Sequence, residues 1–440
     1  MVDKMKDLKQ QIYKAYKDFD QKTLDQNLTY FQTLFEKYQE NKQQRLLLKD
    51  EQNNSHIIPY SIATESQKAV FHIEDYENLE TVNTKCLKDF GLLTCKMQAG
   101  LGTSVKRDDL LKKYTSRADL GSKGTDLFID YEGKTRSIAE VQLLYAEKDK
   151  EQFHYIAFQN LINHETQHAV NEIWNYKHPR LDKTYNEVFN SEQLKRYPEI
   201  YQLMMPTIDE ENEISFDRVA PAGHGFLGFV ELLNIFKEQE SVKEVMTIGN
   251  GEDLQSNPDT KILSWVIENE IPLTMITTTK LEKDKKGGQL ALVEQETPYV
   301  TIVEKAQAQK AGQLSYFEQL GLRAGDDKAL FNTNIVVINK KALKDAFQKY
   351  LRVSESEFMR IIAPDLIKNE KEQNGKKFIQ LEGAIGSVIL NLDKFFRTNY
   401  KKPLVSFLNL APHNREKFFL PIKKREDFDE IYRLGEKNIL

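Results

Sequence analysis

Along the first fifty residues apolar side chains return every three or four positions: Met5, Leu8, Ile12, Ala15, Tyr16 and Phe19, then Leu24, Leu28, Phe31, Leu34, Phe35 and Tyr38. Lys, Gln and Glu fill most of the spaces between them, so the spacing predicts a pair of amphipathic helices. A polar cluster at 49–55 reads as a linker or surface loop, and a soft boundary falls near Asn83. Beyond it come short apolar runs of strand length at 92–97, 126–131, 154–158, 245–248, 273–277, 300–303 and 335–338. Helical patterns at 161–174 and 260–270 separate several of them. Alternating short strands and helices predict an α/β domain with a mostly parallel sheet. The last hundred residues, with a helix at 343–351 and short runs at 378–381, 404–408 and 418–422, predict a smaller α+β region. The expected division is a helical region at 1–82, an α/β domain at 83–345 and the α+β region at 346–440.

Composition narrows the function classes. In 440 residues, 62 Lys+Arg against 67 Asp+Glu leave a net charge of −5, which gives no general basic field for a nucleic acid. An anionic ligand must then be small and met locally. Cys86 and Cys95 are too few for a disulfide framework, and the charged opening helix is no signal peptide. The longest apolar run, 226–236, is broken by Glu231 and Asn234 and is too short to span a bilayer. The expectation is a cytoplasmic chain with neither a membrane nor a nucleic-acid partner.

Candidate chemistry sits in loops after strands. The run Gln98-Ala99-Gly100-Leu101-Gly102-Thr103-Ser104 follows the strand at 92–97, and its glycines permit backbone amides to close on a phosphate or a base edge. It lacks the Lys-Ser/Thr of a Walker loop and the third glycine of the dinucleotide fingerprint. Lysines beside glycine or proline turns occur in Gly121-Ser122-Lys123-Gly124, Lys285-Lys286-Gly287-Gly288 and Pro421-Ile422-Lys423, each a movable cation on a short loop. Glu252 and Asp253 follow the strand at 245–248, where ligands of open α/β sheets bind and where an acid can hold Mg²⁺ against phosphate oxygens. A helix cap is the other reading of that pair. Pro221-Ala222-Gly223-His224-Gly225 either turns a strand into a helix or presents His224 to a ligand.

One competing motif is His164-Glu165-Thr166-Gln167-His168, the spacing at which two histidines one helical turn apart bind zinc. Its flanks, Asn163, Gln167 and Asn171, are polar, and Asn171 occupies the glycine position of the extended motif. A zinc peptidase is therefore ranked below a surface helix with two exposed histidines.

The ordered series of these loops resembles the UTP-dependent sugar-1-phosphate uridylyltransferases of the UDP-glucose pyrophosphorylase type. Lys96 to Ser104 looks like that family's Lys-Leu-Asn-Gly-Gly-Leu-Gly-Thr-Ser loop, and 121–124 is similar to its Gly-Pro-Lys. Gln193 ahead of Tyr197-Pro198-Glu199-Ile200 resembles its Gln before Tyr-Pro-Arg-Ile, with one extra residue between. Pro221 to Gly225 resembles Pro-Pro-Gly-His-Gly, and Asn250 to Leu254 tracks Asn-x-Asp-Asn-Leu. Lys286-Gly287-Gly288, Val303-Glu304, Phe331-Asn332-Thr333-Asn334, Gln380-Leu381-Glu382 and Phe419 to Lys423 follow in the family's order.

The resemblance implies a Rossmann-like (GT-A-like) α/β nucleotidyltransferase domain, with a mixed, mostly parallel sheet, that joins UTP to a sugar 1-phosphate and releases pyrophosphate. It implies that Gln98, Ala99, Gly100, Leu101, Gly102, Thr103, Gln193, Gly223 and His224 meet the nucleotide. Asn250, Glu252, Lys286, Gly287, Gly288, Glu304, Asn332 and Asn334 would meet the sugar, Lys123 and Lys423 the phosphates, and Glu252 with Asp253 a Mg²⁺ ion. Glucose is the favoured sugar; an N-acetylhexosamine, broad specificity or nucleotide binding without turnover are the alternatives. Ala99 in place of glycine, Glu252 in place of aspartate and Ile335 in place of asparagine are departures that bear on the sugar. A basic insertion at 105–120 reads as a lid. The family's β-helical tail is missing after Lys423, which predicts a monomer or small homo-oligomer.

Overall fold

The computed structural model describes residues 2–40, 57–100, 121–131, 134–281, 284, 287–322, 329–373 and 375–436. Eight strands form the spine of a twelve-stranded sheet: β1 (Ile73–Asp75), β2 (Gly91–Met97), β3 (Tyr155–Ile162), β4 (Leu194–Arg196), β5 (Glu244–Asn250), β6 (Leu273–Thr279), β7 (Leu330–Asn339) and β8 (Val405–Leu410). Their spatial order is β1-β8-β6-β7-β5-β2-β3-β4. β7 runs antiparallel to both β5 and β6, and the remaining spine pairs are parallel.

Burial on both faces explains why the central strands read as continuous apolar runs. Every residue of β2 and β6 is buried. Leu93, Cys95 and Met97 enter one core and Leu92 the other, as a two-residue period requires. β6 is rich in threonine, and two of its buried hydroxyls bond across the sheet: Thr277 and Thr278 donate Oγ1 to the carbonyls of Leu408 and Leu410 at 3.3 and 3.1 Å.

A second, four-stranded antiparallel sheet has the order Ile214–Pro221, Met204–Ile208, Lys376–Glu382, Ile367–Gln373. Two of its strands run directly into the helices Gly225–Lys237 and Ile385–Tyr400, which pack on each other with Gly228 against Ile385 and Val388.

The first two helices are Val2–Ala15 and Gln21–Gln39, as the periodicity predicts. Leu24, Leu28, Phe31, Leu34 and Phe35 are buried in the same core as the helix Gly225–Lys237. Asn27, 2% exposed, donates Nδ2 to the Tyr201 carbonyl and accepts the Leu203 N–H, both at 2.8 Å. The expected boundaries near 83 and 346 do not mark edges of the sheet. β1 from the first region and β8 from the last lie side by side in it. The helix expected at 161–174 is also shorter: Leu161 and Ile162 finish β3, and the helix spans Gln167–Asn175. No helix among the described residues is long and apolar enough to cross a membrane.

Candidate functional site

The carboxyl ends of β5 and β6 and the first residues of the antiparallel β7 meet at one end of the sheet, where a cavity of about 790 Å³ opens. Lys123, His224, Asn250, Glu252, Gly287, Gly288, Glu304, Asn332, Asn334 and Lys423 all line it. Residues up to 300 positions apart in the chain are therefore gathered at the strand ends, where open α/β sheets bind ligands.

At one end of the cavity two loops are laced together. The Ile422 N–H donates to the Glu252 carbonyl at 3.0 Å, and the Leu254 N–H to the Leu420 carbonyl at 3.3 Å. Lys123 Nζ bridges both loops, donating to Glu252 Oε1 at 3.3 Å and to the Ile422 carbonyl at 2.5 Å. Lys423 Nζ lies 3.2 Å from Asp284 Oδ1 and over the rings of Phe331 and Phe419, 4.6 and 5.0 Å from their centroids. Its backbone N–H and that of Lys424 both donate to Asp427 Oδ2, at 2.7 and 2.8 Å. Burial pushes the Lys423 ammonium below the usual lysine range, and Asp284 opposes that shift.

Asp253 is not among the residues that line the cavity, and its Oδ2 has no hydrogen-bond partner among the described residues. It is 0% exposed, and its Oδ1 accepts the N–H groups of Leu420 at 2.7 Å and Gln255 at 3.2 Å. Burial raises its carboxyl and lowers the equally buried Lys96, while the attraction between the two charges works against both shifts. Lys96 Nζ donates to the carbonyl and hydroxyl of Ser256 at 2.6 and 2.9 Å. Asp253 thus ties the Lys423 loop to the core, and Glu252, its neighbour, faces the cavity.

The opposite wall is a set of amides. Asn332 Nδ2 donates to Asn334 Oδ1 at 3.0 Å, and the Asn332 N–H to the Gly288 carbonyl at 3.0 Å. Asn334 adopts a positive φ of 62°, which asparagine tolerates. Burial raises the Glu304 carboxyl, with Lys280 opposing. Ile335 is 0% exposed and points into the core with Val337, so the departure expected to alter sugar contacts does not reach the cavity.

His224 ties together the chain segments that leave two strands of the second sheet. Its Nδ1 accepts the Ile385 N–H at 3.1 Å, which leaves the proton on Nε2, and burial lowers its pKa so that the neutral ring dominates near pH 7. Gly223 holds φ at +83°, and a Cβ there would lie 2.5 Å from the Gly383 carbonyl oxygen. We expect Gly223→Ala to cost about 1–3 kcal/mol, read as a lower urea midpoint; an unchanged midpoint would contradict this packing. The Gly223 carbonyl also accepts Gln202 Nε2 at 2.6 Å.

Several expected contacts are not made. Gln193 lies beside the start of β3, where its carbonyl accepts the Ile156 N–H, at the sheet end away from the cavity. A base contact from Gln193 is therefore withdrawn. Gln98 is 1% exposed and takes the Ser122 hydroxyl at 2.5 Å. Gly124 and Gly251 flank its amide so closely that a Cβ on either would overlap it. Its side chain fastens the loops at 121–124 and 250–254 to each other. Ala99 is buried too, its carbonyl held by Asn163 Nδ2, while Gly100 is exposed. Leu101, Gly102, Thr103, Lys286 and the insertion at 105–120 lie outside the described residues.

The zinc motif is not one helical face. His164 and Glu165 sit in a turn where Asn163 Oδ1 accepts the N–H groups of Glu165 and Thr166, and the helix starts only at Gln167. Among the described residues no group of three His, Cys, Asp or Glu side chains is placed to hold a metal. Sequence reasoning missed Asn163, Gln202, Asp284 and Arg415, which act on other protein groups and carry no motif.

The sheet is mixed and mostly parallel, with lysines on short loops and an acid at its carboxyl edge. UDP-glucose pyrophosphorylase of Leishmania major aligns over 97% of this chain and 78% of its own, at 18% identity and a TM-score of 0.64. The Trypanosoma brucei structure titled UDP-glucose phosphorylase aligns at 19% identity and the same score, over 98% of this chain and 78% of its own. The chain belongs to the UTP--glucose-1-phosphate uridylyltransferase family, whose model matches residues 137–428. The enzyme of that name from Saccharomyces cerevisiae is 25% identical over 93% of this chain and 71% of its own length. The Musa acuminata relative is 29% identical over 54% of this chain, and the match spans 44% of the relative's length.

Proposed function

We propose that this chain transfers a uridylyl group from UTP to glucose 1-phosphate, giving UDP-glucose and pyrophosphate. The observation that carries the proposal is the convergence of Lys123, Lys423 and Glu252 on the same cavity as the amides of Asn332 and Asn334. An oxygen of the sugar phosphate attacks the α-phosphorus of UTP, the bond to the bridging oxygen breaks, and pyrophosphate leaves in line. Such a transfer needs positioning and charge neutralisation more than covalent help. Lys123 and Lys423 supply fixed cations for the phosphates, and Asn332, Asn334 and Glu304 supply donors and acceptors for the sugar hydroxyls. Neutral His224, with its Nε2–H free of the Ile385 contact, offers one further donor.

The donor set suits Mg²⁺ in its usual form, one or two carboxylates with the remaining positions left to phosphate and water. Glu252 fits: its carboxylate lines the cavity and is partly exposed. When bound, the ion offsets charge on the phosphate oxygens. The deciding experiment is pyrophosphate release from UTP with glucose 1-phosphate, N-acetylglucosamine 1-phosphate and galactose 1-phosphate at millimolar Mg²⁺. Turnover highest with glucose 1-phosphate is expected. A preference for another sugar would overturn the substrate, and no turnover with any would overturn the activity.

A further inference from the structure

We infer that Asp284 is the positioning residue that fixes the Lys423 ammonium in the cavity, an inference that rests on the uridylyltransferase reading above. Asp284 is 1% exposed. Its Oδ1 and Oδ2 take Arg415 Nη2 at 2.9 and 2.8 Å, Oδ2 also accepts the Leu281 N–H at 3.0 Å, and Oδ1 takes Lys423 Nζ at 3.2 Å. With both oxygens held by several donors from different segments, the carboxylate has one orientation. It therefore gives Lys423 one place to stand.

Charge counting gives the arrangement its direction. One carboxylate lies between two cations, so one positive charge is in excess. Arg415 is sealed at 1% exposure and lies over Phe419, 5.1 Å from the ring centroid. Its Nε and Nη1 have no hydrogen-bond partner among the described residues. The Lys423 side chain is 33% exposed and lines the cavity. The excess charge is thus presented to a ligand through Lys423, while Arg415 stays behind as a buried counterweight. Lys280, 1% exposed and near the Gly287 carbonyl, adds a third cation to this neighbourhood. Without the carboxylate, three cations would share a poorly solvated space, and Lys423 would swing away or lose its proton.

Inside the protein, Lys423 faces Asp284, Arg415, Lys280 and Asp253. From the cavity side it meets Lys123, Glu252, Glu304 and Lys424, and Asp427 holds the backbone of its own loop. Asp284 raises the Lys423 pKa and Arg415 lowers it. Removing each should therefore move the alkaline limb of activity in opposite directions.

The test is kcat, KM and their pH profiles for UTP and glucose 1-phosphate in wild type, Asp284→Asn, Asp284→Glu and Arg415→Met. Asp284→Asn is expected to lower kcat by about 10–100-fold with KM changed by less than about threefold, and to shift the alkaline limb to lower pH. Asp284→Glu should restore the limb, and Arg415→Met should move it upward. Wild-type kcat and limb in Asp284→Asn would overturn the inference, as would limbs moving the same way in Asp284→Asn and Arg415→Met. If Asp284→Asn fails to fold by circular dichroism, Arg415→Met decides alone, and a limb that does not rise overturns the inference. If wild type shows no turnover, the activity reading falls separately; calorimetric UTP affinity across the same pH range then decides, and identical profiles in wild type and Asp284→Asn overturn the inference.

Discussion

Lys423→Ala is expected to lower kcat for pyrophosphate release by about 10²–10³-fold, the effect of removing one fixed donor from a developing charge. The fold should survive, because Asp284 keeps Arg415 and the Lys423 backbone stays pinned by Asp427. Lys123→Ala should act similarly and also loosen the junction between the loops at 250–254 and 419–423, since Nζ of Lys123 touches both. Steady-state kinetics alongside a urea titration separates the two effects: a wild-type kcat in either variant would refute its assigned role, and an unchanged unfolding midpoint in Lys123→Ala would refute the loosening.

Asp253→Ala should lower stability by about 1–3 kcal/mol for each buried donor left unmatched. It leaves the Leu420 and Gln255 N–H groups without their acceptor. Asp253→Asn keeps an acceptor for Leu420 and should cost less. The Mg²⁺ concentration for half-maximal activity should stay unchanged in Asp253→Asn and rise in Glu252→Gln. A rise in Asp253→Asn would restore Asp253 as a metal ligand. Denaturant midpoints and a Mg²⁺ titration measure both.

Local signals carried much of this architecture. The helices near the amino terminus and strands β2, β5 and β6 are legible because apolar period and length are local properties. The cavity loops are legible because glycine, proline and lysine cluster where the chain must turn at a strand end. Of the second sheet only the run at 378–381 was legible. Its strand Ile367–Gln373 reads Ile-Lys-Asn-Glu-Lys-Glu-Gln and carries almost no apolar period, since the sheet's edges are half exposed. The two strands on that sheet's far side, Met204–Ile208 and Ile214–Pro221, lie more than 140 residues earlier. That Glu252 and not Asp253 lines the cavity was equally hidden, because adjacent residues in a turn point to opposite sides. Asp284 and Arg415 are 131 positions apart and form no motif. Gln193 failed for a directional reason: the sequence resemblance placed a glutamine near the right strand but at its amino end.

The position of β8 has a consequence for biosynthesis. β1 ends at Asp75, and its partner strand begins at Val405. At about 5–20 residues per second, a ribosome needs on the order of 20–60 s to make what lies between them. Throughout that interval β1 has no neighbour, and β6, once made, lacks one of its two flanking strands, so hydrogen-bonding edges stay open on a nascent chain. β8 closes both in a single step. The sheet is therefore completed from its last strand, and translation stopped before Val405 leaves β1 and one edge of β6 without a partner.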